Sequence, residues 1–336
     1  MNRDCITLDH GSGGEASHRL LTDTLLCRLT NPILRSLDDS ALIPMDGLCL
    51  AVTTDSYVVD PLFFPGGDIG KLAVHGTVND LAMQGAWPRY LTLSLILEEG
   101  LPMSLLVRVL DSVAEAARES SVIVVTGDTK VVPRGHADKL FINTSGIGTV
   151  PPAVDVRSEN ARIGDFIIIS GNLGEHGLAV LAQRQRLRFN PPLSSDTAPL
   201  HGLVKTMLET STRIHVLRDP TRGGVATALN EIAIHSNLGV CLYEETLPIS
   251  KAVFSASELL GIDPLYIANE GKCLVFVHPE DGDEVLETMR AHKYGKEARI
   301  IGRVTEKNAG RVLLHTKIGG TRLLSMLMGD QLPRIC

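Results

Sequence analysis

Aromatic residues are scarce: Phe, Trp and Tyr make up 4% of the 336 positions, with a single Trp. The cores must therefore rest on Val, Leu, Ile and Ala, and a hydrophobic content of 44% suffices for that. No apolar run approaches the roughly 20 residues a membrane span needs, so no membrane association is expected. The opening Met1-Asn2-Arg3-Asp4-Cys5 has no apolar stretch of the kind a secretory signal carries. Lys and Arg form no cluster and the net charge is −7, so nucleic acid is not an expected partner. The six Cys, at 5, 27, 49, 241, 273 and 336, include no C-x-x-C pair. That argues against a zinc or iron–sulfur centre built by this chain alone. Cys49, Cys241 and Cys273 lie in apolar runs and read as small core residues. A reducing compartment, the cytoplasm, fits this usage.

What is present reads as a two-domain α/β protein. Strand-like runs at Leu48–Thr54, Tyr90–Leu97, Val122–Thr126 and Leu140–Ile147 alternate with helical spacing over Ile69–Gln84 and Met103–Ser120. Pro151-Pro152 then punctuates the chain. Beyond it, Phe166–Ser170, Val240–Tyr243, Leu274–Val277, Arg299–Val304 and Val312–His315 read as strands. Glu175–Gln185, His201–Ser211, Thr221–Ser236 and Glu280–His292 read as helices, with Arg186–Pro199 a loop. The expected division is an N-terminal domain over 1–152, a C-terminal domain over 153–325, and a tail over 326–336. The tail lacks a period and carries Pro333. It ends on Cys336, a thiol that nothing follows, able to be carried into a pocket and out again, and a nucleophile when deprotonated.

Polar clusters recur beside glycines and strand ends. His10-Gly11-Ser12-Gly13-Gly14 precedes a helical segment, where backbone N–H groups approach a phosphate closely. Asp38-Asp39-Ser40 and Thr53-Thr54-Asp55-Ser56 bracket the first strand, at the kind of end where α/β folds place ligands. Gly66-Gly67-Asp68-Ile69-Gly70-Lys71 lacks the spacing and the Ser or Thr of a P-loop. Asn79-Asp80 sits in a mostly apolar helix, where a carboxylate is costly unless paired or on a metal. Gly127-Asp128-Thr129-Lys130 reads as a tight turn after a strand. Arg218-Asp219-Pro220-Thr221-Arg222-Gly223-Gly224 opens a helix, and Asn269-Glu270-Gly271-Lys272 precedes a strand. Asp39, Asp55, Asp80, Asp128 and Asp219 together are too anionic to converge without cations. Mg2+ takes few carboxylates directly and keeps waters and phosphates, so the set suggests a Mg2+–nucleotide site without a P-loop.

Taken together, these motifs resemble the ATP-dependent superfamily of aminoimidazole ribonucleotide synthetase and selenophosphate synthetase, over nearly the whole chain. The ending Pro333-Arg334-Ile335-Cys336 is similar to that of its hydrogenase-maturation branch. The resemblance implies a two-domain aminoimidazole ribonucleotide synthetase-like α/β fold with a flexible C-terminal tail. It implies a homodimer formed through the N-terminal sheet, with ATP in a cleft between domains. By motif match, Asp39, Asp55, Asp80 and Asp219 would handle Mg2+, with Asp38 an alternative to Asp39. Gly11, Ser12, Gly13 and Gly14, with Asp55, Asn79, Asp80, Gly127, Asp128, Thr129 and Arg222, would contact the nucleotide. The reaction implied is ATP-dependent dehydration of a carbamoyl group on Cys336 to a thiocyanate. The carbamoyltransferase HypF would supply that group, and the nitrile would pass to a HypC–HypD complex as a cyanide ligand of [NiFe]-hydrogenase. Lys130 and Glu270 are candidates for oxyanion stabilisation and proton removal. Selenophosphate synthesis is the nearest rival, but the loop His10–Gly14 carries neither the Cys nor the Lys typical of that branch. A non-enzymatic nucleotide-binding scaffold is the other alternative.

Overall fold

The computed structural model describes residues 5–29, 31–329 and 331–336. Residues 1–4, which entered the reading of the N-terminus, lie outside these. A helical lead-in comes first: α1 (Glu15–Arg19), wider turns over Leu20–Leu26, and α2 (Cys27–Leu29). The N-terminal sheet follows. Its strands are β1 (Ala41–Met45), β2 (Leu48–Tyr57), β5 (Trp87–Glu98), β6 (Ile123–Val132) and β7 (Leu140–Val150), in the order β1-β2-β7-β5-β6. All neighbours are antiparallel except β5 and β6, which run parallel and are joined through α4 (Met103–Glu119). The short pair β3 (Phe63–Phe64) and β4 (Gly67–Asp68) leads into α3 (Ile69–Met83).

The helix α3 is the spine of this half. The Asp68 side chain caps it, accepting from the N–H groups of Gly70 (2.8 Å) and Lys71 (3.1 Å). Ile69, Leu72, Ala73, Val74, Val78, Leu81, Ala82 and Met83 are all fully buried. A helix apolar all round belongs between layers, and α3 is packed between the sheet, α4 and the second half.

The C-terminal sheet has seven strands in the order β14-β13-β10-β12-β8-β11-β9. These are β8 (Phe166–Ile169), β9 (Ile214–Arg218), β10 (Gly239–Tyr243), β11 (Leu274–Val277), β12 (Arg299–Thr305), β13 (Val312–His315) and β14 (Thr321–Leu324). Its helices are α5 (Glu175–Gln185), α6 (His201–Thr210), α7 (Gly224–Ser236), α8 (Lys251–Leu260) and α9 (Gly282–Ala291). β8 and β11 are buried along almost their whole length, with α7 against one face and α6 and α9 against the other. This is why they read as continuous apolar runs. The two halves are tied at Asn79, whose amide donates to the Ala198 carbonyl (3.0 Å) and accepts from the Leu200 N–H (2.8 Å).

Several expectations need correction. The strand expected to stop at Thr126 continues to Val132, so Gly127–Lys130 is not a turn but part of β6, in register with Leu93–Ile96 of β5. Parallel pairing with β5 supplies ladder bonds that the Gly and Asp residues alone would not predict. The helix expected from Thr221 begins at Gly224, and both Gly224 and the preceding Gly223 have left-handed φ. Cys49 is only half-buried, whereas Cys241 and Cys273 are in the core. β1, β9, α8 and β14 had not been anticipated. Residue 330 of the expected tail lies outside the described residues; the described residues of 326–336 form no helix or strand, yet they are docked: Leu332 and Ile335 are buried in the core cluster containing Val59, Leu178 and Ile267.

Candidate active site

Strand β2, helix α3, the turn after β9 and the turn before β11 converge on one cleft of about 270 Å³. β2 contributes Thr53, Thr54 and Asp55, α3 contributes Gly76 and Asp80, and the end of β9 with its turn contributes Arg218, Asp219 and Arg222. Asp39 enters from the residues just before β1, Glu270 from the turn before β11, and Cys336 from the chain's last residue. The expected acids Asp39, Asp55, Asp80 and Asp219 are therefore brought together, with Glu270 and Cys336 in the same wall.

Packed carboxylates pay for their proximity in proton affinity. Burial, and then the neighbouring Asp219, Asp55 and Asp39, push Asp80 well above the usual carboxylate range, against a hydrogen bond from Thr53 (2.8 Å). Burial likewise raises Asp219 to about 6, with Arg218 opposing and Asp55 reinforcing. Burial raises Asp39 despite its ion pair to Arg218 Nε at 3.0 Å. One oxygen of Asp39, Oδ2, is buried with no hydrogen-bond partner. Glu270, 4% exposed, is pushed well up by burial and then by Asp219, Asp55 and Asp196. Arg218 links the set to α7 by pairing Glu231 as well as Asp39. An anionic wall with raised proton affinities and an unpartnered oxygen is chemistry that a divalent cation would relieve. Among the described residues no three acidic or imidazole groups stand close enough to cage an ion by themselves. That suits Mg2+, which keeps waters and phosphate oxygens, better than a metal needing a full protein cage.

The glycine loop meets the cleft at one point. Gly13 lines it, while Gly11 and Ser12 line an adjoining pocket beside Cys336. Two of these glycines are required by the chain's own packing. A Cβ on Gly14 would stand 2.1 Å from the Leu327 carbonyl oxygen, which accepts from the Glu15 N–H at 3.0 Å. Gly13, at φ +78, lies against Arg222. Arg222 donates to the Gly11 carbonyl (3.3 Å), and negative charge at Cys336 holds its guanidinium up. Asn79, expected at the nucleotide, instead spends its amide on the contact between halves. Gly127, Asp128, Thr129 and Lys130 are exposed on edge strand β6, with Lys130 Nζ paired to Asp128 at 2.6 Å, and line neither cleft nor pocket. Sequence reasoning assigned no role to Arg218, although it adjoins Asp219. It missed the α5 residues His176 and Arg184, which contact the tail. Nothing in their local sequence signals that contact, because it spans about 150 residues.

Comparison with known proteins agrees with this geometry. Residues 37–150 match the N-terminal domain, and 162–315 the C-terminal domain, of the AIR synthase related proteins. The chain belongs to that family of two-domain α/β proteins. Within it, the chain is 49% identical over 332 residues to the carbamoyl dehydratase HypE of Cupriavidus necator, covering 98% of this chain and 95% of that protein. A crystal structure of the hydrogenase maturation protein HypE in complex with ATP is 51% identical, with a TM-score of 0.84, over 99% of this chain and all of that one. The HypE chain of a HypE–HypF complex is 46% identical, with a TM-score of 0.88, over 92% of this chain and 99% of that one. The chain is thus a member of the HypE family of carbamoyl dehydratases, enzymes of hydrogenase maturation.

Proposed function

We propose that this protein dehydrates an S-carbamoyl group on its own Cys336 to a thiocyanate, using Mg2+ and ATP. The observation that carries this reading is the placement of Cys336 in the wall of the carboxylate cleft. A carbamoyl oxygen is a poor leaving group. Attack of that oxygen on the γ-phosphorus of ATP, with loss of one N–H proton, gives an O-phosphorylated imidate and ADP. Departure of phosphate with loss of the second N–H proton leaves S–C≡N, so the net loss is one water. Bound Mg2+ would neutralise the triphosphate. Asp39, Asp55, Asp80 and Asp219 would hold it together with waters and phosphate oxygens, and the unpartnered Asp39 Oδ2 is a ready ligand atom.

Glu270 shares the cleft with Cys336 and is our candidate base. Its raised proton affinity suits removal of a weakly acidic N–H proton. Gly11, Ser12, Gly13 and Gly14 with Arg222 would face the phosphates.

Gly127, Asp128, Thr129 and Lys130 lie on the N-terminal sheet, away from the cleft of their own chain. The same sheet leaves Trp87, Tyr90, Ile96, Ile123 and Ile147 exposed. We infer that a second copy of this chain covers it, forming a homodimer, and that pairing brings these residues to a nucleotide. The carbamoyl group would come from a HypF partner, and the cyanide would go to a HypC–HypD complex. Both encounters require the tail to leave the cleft, so the tail is proposed to swing.

Carbamoylated protein given Mg2+ and ATP should lose one water from its C-terminal peptide, read by peptide mass spectrometry. ATP hydrolysis with an unchanged peptide mass would overturn the reading. Glu270→Gln should bind ATP and hold the carbamoyl group but dehydrate at least about a hundredfold more slowly.

A further inference from the structure

The docked tail is gripped by its backbone. Arg184, on α5, donates from Nη1 to the Pro333 carbonyl (2.6 Å) and from Nη2 to the Arg334 carbonyl (2.6 Å). Its Nε donates to the Asp60 carbonyl (2.7 Å), which fixes the guanidinium plane against the N-terminal half. His176, two turns earlier on α5 and fully buried, meets the Ile335 carbonyl through Nε2 at 2.7 Å. A carbonyl can only accept, so Nε2 carries the proton. Burial lowers the pKa of His176 and keeps the ring neutral, which leaves Nδ1 to accept from the Ser195 hydroxyl at 2.8 Å. Ser195 is held in turn by Thr197 (2.6 Å). On the other side, the Val58 N–H donates to the Cys336 backbone oxygen (3.0 Å) and the Asp60 N–H to the Arg334 carbonyl (3.2 Å).

We propose that His176 and Arg184 are positioning residues that hold the carbonyls of residues 333–335 and so present the Cys336 side chain to the carboxylate cleft for dehydration, a role that rests on the function proposed above. These three bonds go to main-chain oxygens. The grip is therefore blind to whether the sulfur carries a proton, a carbamoyl group or a nitrile. These contacts to residues 333–335 do not distinguish the three states and so do not expel the tail as the chemistry proceeds, which leaves release to the partner that receives or delivers the group. Were the tail withdrawn, the buried Nε2–H of His176 would lose its acceptor. That is a cost the fold would not carry without a use for the contact.

The test uses the full chain as wild type, His176→Ala, Arg184→Ala and the milder Ser195→Ala, which remains informative if a larger change impairs folding. Two readouts are taken. The first is single-turnover dehydration of pre-carbamoylated protein with Mg2+ and ATP. The second is the rate at which a maleimide labels Cys336, read on the C-terminal peptide. Dehydration should slow about ten- to a hundredfold in His176→Ala and Arg184→Ala, and Cys336 labelling should speed up by a similar factor, with smaller changes of the same sign in Ser195→Ala. Affinity for ATP and acceptance of the carbamoyl group should stay within about twofold. Arg184→Lys, able to reach one carbonyl, should recover part of the loss. Wild-type rates for both readouts in the variants would overturn the clamp. A wild-type protein that never dehydrates would overturn the function instead, while the labelling rates still decide the clamp.

Discussion

Replacing Asp219 by Asn should make the unliganded protein more stable and the enzyme worse. In the fold the Asp219 carboxyl is raised from its ordinary 3.8 to about 6, chiefly by burial and also by Asp55. At 1.36 kcal/mol for each tenfold change in proton affinity, keeping it ionised at pH 7 costs the folded state about 3 kcal/mol. An Asn of the same shape removes that cost and part of the cost borne by Asp80, which Asp219 also pushes up. For a chain of 336 residues the gain corresponds to roughly 4 °C in melting temperature. The sign with pH follows from the direction of the shift. Because the folded-state value is raised, the penalty is absent below the unfolded value near 4, grows between 4 and 6, and is complete above 6. Urea denaturation of wild type and Asp219→Asn, without metal or nucleotide, should therefore give a difference of about 3 kcal/mol at pH 7.5 that fades towards zero at pH 4. In the same variant the affinity for Mg2+-ATP should fall at least about tenfold, since the cation would lose one of its proposed ligands. A variant less stable than wild type at pH 7.5, or a gain that ignores pH, would refute the account of the cleft as a strained anionic site awaiting a cation.

Other expectations follow from the same geometry. Arg218→Ala strips Asp39 and Glu231 of their shared partner and should cost about 3–5 kcal/mol by urea denaturation, because it leaves a buried carboxylate unpaired. Asn79→Ala abandons the Ala198 carbonyl and the Leu200 N–H, and should cost about 2–4 kcal/mol and raise amide exchange at Leu200. Tyr90→Glu, at an exposed site on the N-terminal sheet, should break the proposed homodimer and yield monomers in sedimentation velocity with near-native circular dichroism. Wild-type Mg2+-ATP affinity should weaken as pH falls through about 6, where Asp219 takes up its proton. Calorimetry in buffers of different ionisation enthalpy would read the protons released on binding.

Much of the fold was legible because its strands are short apolar runs between Gly- and Pro-rich breaks. α3 announced itself by helical spacing over Ile69 to Gln84, and β11 by the apolar run Leu274–Val277. β6 was cut short at Thr126 because Gly127 and Asp128 are turn formers, and only pairing with β5 overrides them. Four of the five acids read as a set from their places beside glycines and strand ends, Asp39, Asp55, Asp80 and Asp219, do converge, whereas Asp128 lies on β6 outside the cleft. Their individual duties were less so. Asn79 resembles a nucleotide ligand in sequence but bonds the loop before α6, a contact 119 positions away. The glycines at 13 and 14 read as a phosphate cradle, yet Arg222 and the Leu327 carbonyl fill the space a Cβ would take. Cys336 was legible as an unusual end, but its dock was not. Arg184 and His176 are ordinary helix residues until residues 333–335 arrive.

The central claim is that the carbamoyl oxygen on Cys336 is activated by phosphorylation inside the carboxylate cleft. The measurement that tests it most directly follows that oxygen. Protein carbamoylated with heavy oxygen in the carbonyl position is given unlabelled Mg2+-ATP for a single turnover, and the phosphate and C-terminal peptide are analysed by mass. The account predicts one heavy oxygen in each inorganic phosphate and a nitrile on Cys336. Heavy oxygen recovered in water, or retained on the peptide while ATP is consumed, would contradict it.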